Sequence, residues 1–251
     1  MCEAGYEDAG KRPGEARVPV HKLVLWDIDH TLITTGGVGT EVFRDAFEQV
    51  TGRRIDELAD VTGRTEQVIF HETLELYDIE DPGDYFEKFT GAQAAGYRAR
   101  VEEMRARGRA LPGAHAAIAA LAALPSITQS ILTGNPRPSA EAKLRIFGFT
   151  KNLDLDSGAY GTDDSVRANL VAIAQHRAAA RYGGNFTSDT TILIGDTPSD
   201  VEAALKGGAQ IIAIASGKTT ANELSAAGAS TVFPDLTDTA AVVQAVTSEP
   251  T

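Results

Sequence analysis

The segment LVLWDIDHTL, residues 23–32, carries four apolar residues that run directly into two aspartates separated by one residue. An apolar run of this length, flanked by polar sequence, is typical of a buried β-strand. On an extended chain Asp27 and Asp29 point to the same side. The carboxyl end of a strand is also where open α/β sheets usually hold their ligands. The alternative is an ordinary turn, because Asp and Thr are common turn residues. We interpret the segment as a strand that leads into a functional site.

The composition excludes several classes of protein. A hydrophobic content of 43% and a charged content of 23% are normal for a soluble globular protein of one large domain or two small ones. The net charge of −12 argues against non-specific binding to nucleic acid or to an anionic membrane. No apolar run reaches the roughly 18 residues of a membrane span, and the single cysteine, Cys2, fits a reducing compartment. We therefore expect a cytoplasmic protein that has neither nucleic acid nor membrane as a partner.

Two kinds of pattern divide the chain. Residues 1–20 are polar, lack the apolar centre of a signal peptide and are predicted to be a disordered leader. From the first strand to about residue 110 the pattern is helical, and it includes one predicted helix over residues 91–109. Strands then alternate with helices to about residue 236, which indicates βαβ units and a parallel sheet. The predicted domains are a core of residues 21–34 and 111–251 and a helical region of residues 35–110.

Polar residues follow three of the predicted strands. Because the carboxyl ends of parallel strands meet at one edge of a sheet, we expect these residues to lie close together. Each group alone is a weak signal, since each would also suit a turn, but the three in βα context are specific. The groups are Asp27 with Asp29 and Thr31, Thr133 with Gly134 and Asn135, and Asp196 with Asp200.

These motifs resemble those of phosphatases of the haloacid dehalogenase-like (HAD) superfamily. Their pattern is Asp-x-Asp-x-Thr, a strand-end Thr or Ser, a Lys, and Gly-Asp-x-x-x-Asp, and all four occur in order between Lys22 and about Leu236. The resemblance implies an α/β fold, with a doubly wound Rossmann-like parallel sheet as the core and an all-helical cap domain inserted after the first strand. It also implies a Mg²⁺-dependent phosphatase of the phosphoglycolate phosphatase-like kind. Its partner would be a small phosphorylated metabolite, and the chain would be a monomer or a homodimer.

The resemblance assigns roles to the aspartates. Asp27 is expected to form an aspartyl-phosphate, and Asp29 to protonate the leaving alcohol and then activate water, a contribution of roughly 10²–10⁴-fold. Dehalogenating relatives lack a second aspartate at the Asp29 position, so its presence favours phosphoryl chemistry. The expected Mg²⁺ ligands are the carboxylates of Asp27 and Asp196 and the backbone carbonyl of Asp29, with Asp200 binding through water or orienting a ligand.

The phosphate and its cation involve further residues. The hydroxyl of Thr133 is expected to bind the phosphate, with the amide of Gly134 or Asn135 assisting. We expect Lys143, on the helix after Thr133, to be the cation between carboxylate and phosphate, because it acts as a compact point charge. The alternative is Arg167, which lies near the place where many family members carry their lysine.

Two assignments have competing structural explanations. Asp200 could serve the first turn of a helix, in a capping box with Ser199 as the N-cap. Arg64, in the segment TGRTE, is expected to bind a substrate anion through its fork of donors. Thr62 or Thr65 of the same segment could instead cap the next helix.

Two other functions fit the same sequence. A phosphomutase of the β-phosphoglucomutase type would use the same motifs, with the cap protecting the phosphoenzyme from water. A non-catalytic binding module would keep the fold alone, although the intact set of four motifs argues against it.

Overall fold

The computed structural model describes residues 21–249, so the predicted leader of residues 1–20 lies outside the described residues. The chain alternates strands and helices along most of its length. In order, the elements are β1 (Lys22–Trp26), β2 (Ile33–Thr34), α1 (Val38–Thr51), α2 (Glu66–Leu76), α3 (Tyr85–Ala99), α4 (Val101–Arg107), β3 (Arg109–Ala110), α5 (Ala114–Ala122), β4 (Ile127–Ile131), α6 (Arg137–Ile146), α7 (Arg167–Tyr182), β5 (Thr191–Gly195), α8 (Pro198–Gly207), β6 (Gln210–Ile214), α9 (Ala221–Ala226), β7 (Thr231–Phe233) and α10 (Thr239–Thr247).

Five parallel strands form the main sheet in the order β4-β1-β5-β6-β7. β1 lies between β4 and β5, and Trp26 is in register with Ile131 on one side and Ile194 on the other. The loops that follow β1, β4 and β5 therefore begin at the same level of the sheet. Helices flank the sheet, and the predicted Rossmann-like α/β fold is confirmed.

β1 is buried on both faces of the sheet. Val24 and Trp26 pack in a cluster that includes side chains of α5, α6 and α10, while Leu23 and Leu25 pack in a cluster with side chains of α7, α8 and α9. Because successive strand residues point to opposite faces, a strand covered on both faces needs an unbroken apolar run. All four side chains are fully buried, and each contributes about 1.5–3 kcal/mol relative to exposure. Asp27 and Asp29, which follow this strand, are therefore held by a well-packed part of the fold.

Four helices, α1 to α4, lie between β2 and β3. These two strands pair antiparallel, Ile33 with Ala110, and join the two ends of the helical region. The helical region has an aromatic core of its own, in which the ring centroids of Phe43 and Phe89 are 4.8 Å apart and those of Phe70 and Phe89 are 4.7 Å apart. We call residues 35–108 the helical insertion. The short strands that bound it were not predicted, because two residues carry no periodic signal.

The structure differs from the sequence interpretation at two helices. The single helix predicted over residues 91–109 is wrong, because α3 ends at Ala99 and α4 begins at Val101. Between them Arg100 leaves the helical dihedral angles, at φ −108° and ψ 28°, and its guanidinium pairs with Glu41 and Asp45 of α1. Helix α10, whose valines pack into the sheet cluster with α5, was not predicted. No helix within residues 21–249 is both long and apolar enough to span a membrane.

Candidate active site

A cleft of about 230 Å³ lies between the carboxyl edge of the sheet and the helical insertion. The three strand-end loops supply its floor, and the insertion supplies its opposite wall. Every residue that the sequence proposed for the site lines this cleft: Asp27, Asp29, Arg64, Thr133, Gly134, Asn135, Lys143, Asp196 and Asp200.

Three aspartates form what we call the acidic cluster: Asp27, Asp196 and Asp200. All three are buried, and one carboxylate oxygen from each lies within 4.8 Å of the others. Asp27 is fixed at the end of β1 by its amide, which donates to the carbonyl of Ile194 at 2.9 Å. Asp196 accepts a hydrogen bond from the hydroxyl of Thr31 at 3.3 Å. The end of β1 and the end of β5 thus bring their carboxylates to one point.

One cation serves this cluster. Nη2 of Arg167, at the start of α7, donates to Oδ1 of Asp27 at 2.6 Å and lies 2.6 Å from Oδ1 of Asp200. The Arg167 side chain is only 10% exposed; burial acts to lower its pKa, but the charges of Asp200 and Asp27 raise it overall. The cation in contact with Asp27 is therefore Arg167, whereas Lys143 contacts Asp29. Which of the two acts between a carboxylate and a phosphate stays a prediction.

In the described part of the chain, one guanidinium faces three buried carboxylates and does not balance their charge. Burial raises the pKa of Asp27 to about 7, although the Arg167 charge opposes the rise. Burial and the neighbouring Asp27 and Asp200 raise the pKa of Asp196 to about 9. Two carboxylates that resist ionisation together indicate that this half of the cleft has too little positive charge for its three carboxylates.

The acidic cluster fits a hard divalent cation. Carboxylate oxygens are the ligands that Mg²⁺ prefers. Within residues 21–249, Oδ1 of Asp200 is buried and accepts no hydrogen bond, although the Arg167 guanidinium lies 2.6 Å from it. The backbone also leaves room here: a Cβ at Gly217 would lie 1.9 Å from Oδ2 of Asp196. Only glycine at this position lets the loop after β6 pass so close to the carboxylate. The donor set, its charge and the space around it all suit a metal ion.

In the second half of the cleft, Asp29 has a cation of its own. Nζ of Lys143 lies 3.0 and 2.8 Å from the two carboxylate oxygens of Asp29 and donates to Oδ1 of Asn135 at 2.6 Å. The side-chain amide of Asn135 donates to Asp29 at 2.8 Å and to the hydroxyl oxygen of Thr133 at 2.7 Å. Although burial acts to raise it, the pKa of Asp29 is lowered overall by Lys143 and these hydrogen bonds. Lys143 thus holds Asp29 rather than Asp27.

Comparison with known proteins identifies the family. The family model for haloacid dehalogenase-like hydrolases matches residues 24–205. The chain belongs to this family. No curated protein matches the sequence.

The family's fold recurs in solved structures of low sequence identity. A hydrolase from Pseudomonas syringae is 20% identical and superposes with a TM-score of 0.66, over 90% of this chain and 100% of the other. A predicted phosphoglycolate phosphatase from Haemophilus somnus is 16% identical, with a TM-score of 0.63 over 91% and 100% of the two chains. A candidate beta-phosphoglucomutase from Thermotoga maritima is 19% identical, with a TM-score of 0.57 over 90% and 99%. At this identity the likeness establishes the fold of this haloacid dehalogenase-like hydrolase.

Asp200 combines the two roles that the sequence offered for it. It belongs to the acidic cluster, and it also closes a capping box, but the N-cap is Thr197 rather than Ser199. Oδ2 of Asp200 accepts from the amide and hydroxyl of Thr197 at 3.1 and 2.7 Å. The cap lies two residues earlier than predicted because Pro198 takes the first helical position, where its missing N–H costs nothing. Oδ1 of Asp200 is left to face the cluster.

Arg64 lines the cleft, but its guanidinium is engaged within the insertion. It pairs with Glu72 and lies 4.0 Å from Asp60. Neither Thr62 nor Thr65 forms a side-chain cap: Thr65 is the N-cap residue of α2, yet its hydroxyl donates to the carbonyl of Ser165 at 3.3 Å. Substrate binding by Arg64 stays a prediction.

Four further residues of the cleft were not assigned from the sequence. Glu66 and Tyr97 come from the insertion, and Lys218 and Thr219 come from the loop after β6. Nζ of Lys143 lies 5.1 Å from the ring centroid of Tyr97, a cation–π contact. Only the Gly217 loop had a usable signal, since it follows an apolar strand of the parallel sheet as the other site loops do.

Proposed function

We propose that this haloacid dehalogenase-like hydrolase is a Mg²⁺-dependent phosphatase that hydrolyses a small phosphorylated metabolite through an aspartyl-phosphate on Asp27. The observation that supports this most directly is that two carboxylates at the end of one strand, Asp27 and Asp29, lie in different electrostatic environments. Asp27 lies in a cluster short of positive charge, while Asp29 has a cation of its own. We further propose that the protein acts in the cytoplasm as a monomer or homodimer, without a nucleic acid or membrane partner.

The carboxylates of Asp27 and Asp196, the backbone carbonyl of Asp29 and, directly or through water, Asp200 would hold the metal ion. When bound, Mg²⁺ supplies Lewis-acid neutralisation of the charge on the phosphoryl oxygens. Its charge also suits a site in which burial raises the pKa of Asp27 and Asp196.

Asp27 acts as the nucleophile. One carboxylate oxygen forms a bond to phosphorus as the bond from phosphorus to the ester oxygen breaks. The hydrogen bond from its backbone amide to the carbonyl of Ile194 fixes the backbone at the end of β1, and the contact with Arg167 holds the carboxylate in the cleft. Arg167 also supplies positive charge where the phosphate dianion meets the carboxylate.

Asp29 moves the proton in both half-reactions. A proton on its carboxyl passes to the leaving ester oxygen, and the resulting carboxylate later takes a proton from the water that attacks the aspartyl-phosphate. Lys143 keeps this side chain ionised in the free site, which suits the second role. The negative charge of a bound phosphate ester opposes Lys143 and raises the pKa of Asp29, which suits the first.

Thr133 is arranged to bind phosphate. Its hydroxyl oxygen already accepts from the side-chain amide of Asn135 at 2.7 Å and from the Asn135 backbone amide at 3.3 Å. The hydroxyl hydrogen is then available for a phosphoryl oxygen. Its amide donates to the carbonyl of Ala159 at 3.1 Å, which fixes the loop after β4.

The proposal is tested with a panel of phosphate esters, with and without Mg²⁺, in which free phosphate and product identity are both measured. We expect Mg²⁺-dependent release of free phosphate that is lost in Asp27→Asn. Isomerised sugar phosphate in place of free phosphate would identify a phosphomutase. No turnover of any ester, together with unchanged behaviour of Asp27→Asn, would favour a non-catalytic binding module.

A further inference from the structure

The start of helix α2 is docked onto the core beside the catalytic loops. The backbone amide of Glu66 donates to the carbonyl of Gly134 at 2.8 Å. A Cβ at Gly134 would lie 2.3 Å from the carbonyl oxygen of Arg64, so the two loops approach as closely as backbones allow. This contact carries the side chain of Glu66 from the insertion into the cleft.

A relay of buried polar groups holds the Glu66 carboxylate in place. The side-chain amide of Gln93, on α3, donates to Oε1 of Glu66. The hydroxyl of Ser139, on α6, donates to Oε1 of Gln93 at 2.6 Å, and both of these side chains are fully buried. Within residues 21–249, Oε2 of Glu66 receives no hydrogen bond from the protein. One oxygen is anchored, and the other is available to a ligand in the cleft.

Glu66 is the only acidic side chain that the insertion contributes to the described cleft. The same wall of the cleft also carries the apolar side chains of Phe43, Leu58 and Ile69. Arg64, the cation of the insertion in this cleft, is already paired with Glu72. The part of a substrate that faces the insertion therefore meets a carboxylate on a wall that is partly apolar.

The position of Glu66 relative to the chemistry is also informative. Burial raises its pKa, and the ammonium of Lys143 lies close enough to oppose that rise. The same ammonium holds Asp29, the group proposed to protonate the leaving alcohol. The backbone amide of Glu66 also bonds to Gly134, the neighbour of Asn135. The Asn135 side chain contacts both Lys143 and Asp29. Glu66 thus lies on the Asp29 side of the site, where the alcohol portion of a phosphate ester would bind.

From this placement we infer that Glu66 selects the substrate: it accepts a hydrogen bond from a hydroxyl group on the alcohol portion of the ester and repels esters that carry a carboxylate there. The inference rests on the proposed function and adds the substrate class, hydroxylated phosphate monoesters rather than phosphorylated acids. A second anion beside Glu66 and Asp29 would be unfavourable, since like charges repel strongly at a desolvated contact.

A matched pair of ligands tests this selection. Glycerol 3-phosphate and 3-phosphoglycerate differ in one group, a hydroxymethyl in the first and a carboxylate in the second. Their dissociation constants are measured by calorimetry at mildly alkaline pH with Mg²⁺, in an Asp27→Asn background that prevents turnover. We expect glycerol 3-phosphate to bind about tenfold or more tightly, and we expect Glu66→Gln to reduce this preference to about threefold or less.

Two controls accompany the measurement. Glu66→Gln keeps an acceptor for Gln93, and an unchanged unfolding temperature verifies that the variant folds. Glu75→Gln makes the same change at an exposed position of α2 outside the cleft, and it should leave the preference unchanged.

A preference for 3-phosphoglycerate, a preference that survives Glu66→Gln, or binding of neither ester would overturn the inference. Turnover of p-nitrophenyl phosphate by the wild-type protein reports on the proposed function separately. Turnover without the expected selection leaves the phosphatase proposal standing and removes the role of Glu66.

Discussion

Asp27 and Asp29 lie two residues apart, yet the two halves of the cleft shift the pKa values of their carboxyl groups in opposite directions. In the acidic cluster, Asp27 shares the Arg167 guanidinium with Asp200, and burial raises the pKa of Asp27 to about 7. In the other half, Asp29 has the ammonium of Lys143 and an amide of Asn135, and its pKa is lowered. The comparison shows two different electrostatic environments: in one half a single cation faces three carboxylates, which suits a metal ion, and in the other Asp29 has a cation of its own.

The largest expected effect is the loss of turnover in Asp27→Asn. The amide keeps the shape of the side chain but is not a nucleophile, so we expect activity to fall by about 10⁴-fold or more. Steady-state release of phosphate checks this, with Asp189→Asn, an exposed aspartate outside the cleft, as the control. Activity above a few per cent of wild type would refute the role of Asp27.

Substitution of the two cations, Arg167 and Lys143, should have different effects, because each serves a different half of the cleft. Arg167→Ala removes charge beside the nucleophile and is expected to lower kcat by about 10²–10³-fold. Lys143→Ala removes a group that acts through Asp29, so the expected loss is about 10–100-fold, with the pKa of Asp29 shifted upward in the pH profile of kcat. A larger loss of kcat in Lys143→Ala than in Arg167→Ala, or an unchanged pH profile of kcat in Lys143→Ala, would contradict the assignment of one cation to each half.

A glycine next to the acidic cluster gives a smaller effect. In Gly217→Ala the new Cβ would lie 1.9 Å from Oδ2 of Asp196, so that carboxylate must move. We expect about tenfold weaker Mg²⁺ binding, a loss of the size seen when groups around a metal site are disturbed. Gly91→Ala is the matched control, because a Cβ at Gly91, in α3, meets nothing within 4 Å. Equal Mg²⁺ affinity in both variants would show that the Gly217 loop does not position Asp196.

The smallest effect concerns stability without metal. The folded-state pKa values of about 7 for Asp27 and about 9 for Asp196 exceed the ordinary value of 3.8, so the folded protein binds more protons than the unfolded chain. Stability should therefore fall as pH rises through this range, up to about 9, with a shift of about 2–4 °C in unfolding temperature for each kcal/mol lost.

Calorimetric scans of the metal-free protein measure this shift. Asp196→Asn should flatten the dependence on pH, and added Mg²⁺ should flatten it as well, because bound cation stabilises the ionised carboxylates. An unfolding temperature that rises with pH over the same range would contradict the electrostatic description of the acidic cluster.

The sequence predicted the floor of the cleft better than its opposite wall. Asp27, Thr133 and Asp196 each follow a strand, and parallel strands bring such residues to one edge without further information. Glu66 carries no comparable signal, because its helix is amphipathic in an ordinary way and only the contact with Gly134 brings it into the cleft. The choice between Lys143 and Arg167 likewise depended on how α6 and α7 pack, which periodicity does not report. The wrong N-cap at Ser199 is different, since Pro198 could have indicated the earlier start.

The central claim, that one half of the cleft requires a divalent cation and the other does not, is tested most directly by calorimetric titration of Mg²⁺ into three proteins. We predict one site in the wild type, a loss of at least tenfold in affinity for Asp196→Asn, and binding close to wild type for Asp29→Asn, whose backbone carbonyl is unchanged. Absence of Mg²⁺ binding in the wild type, or equal affinity in Asp196→Asn and the wild type, would contradict the claim.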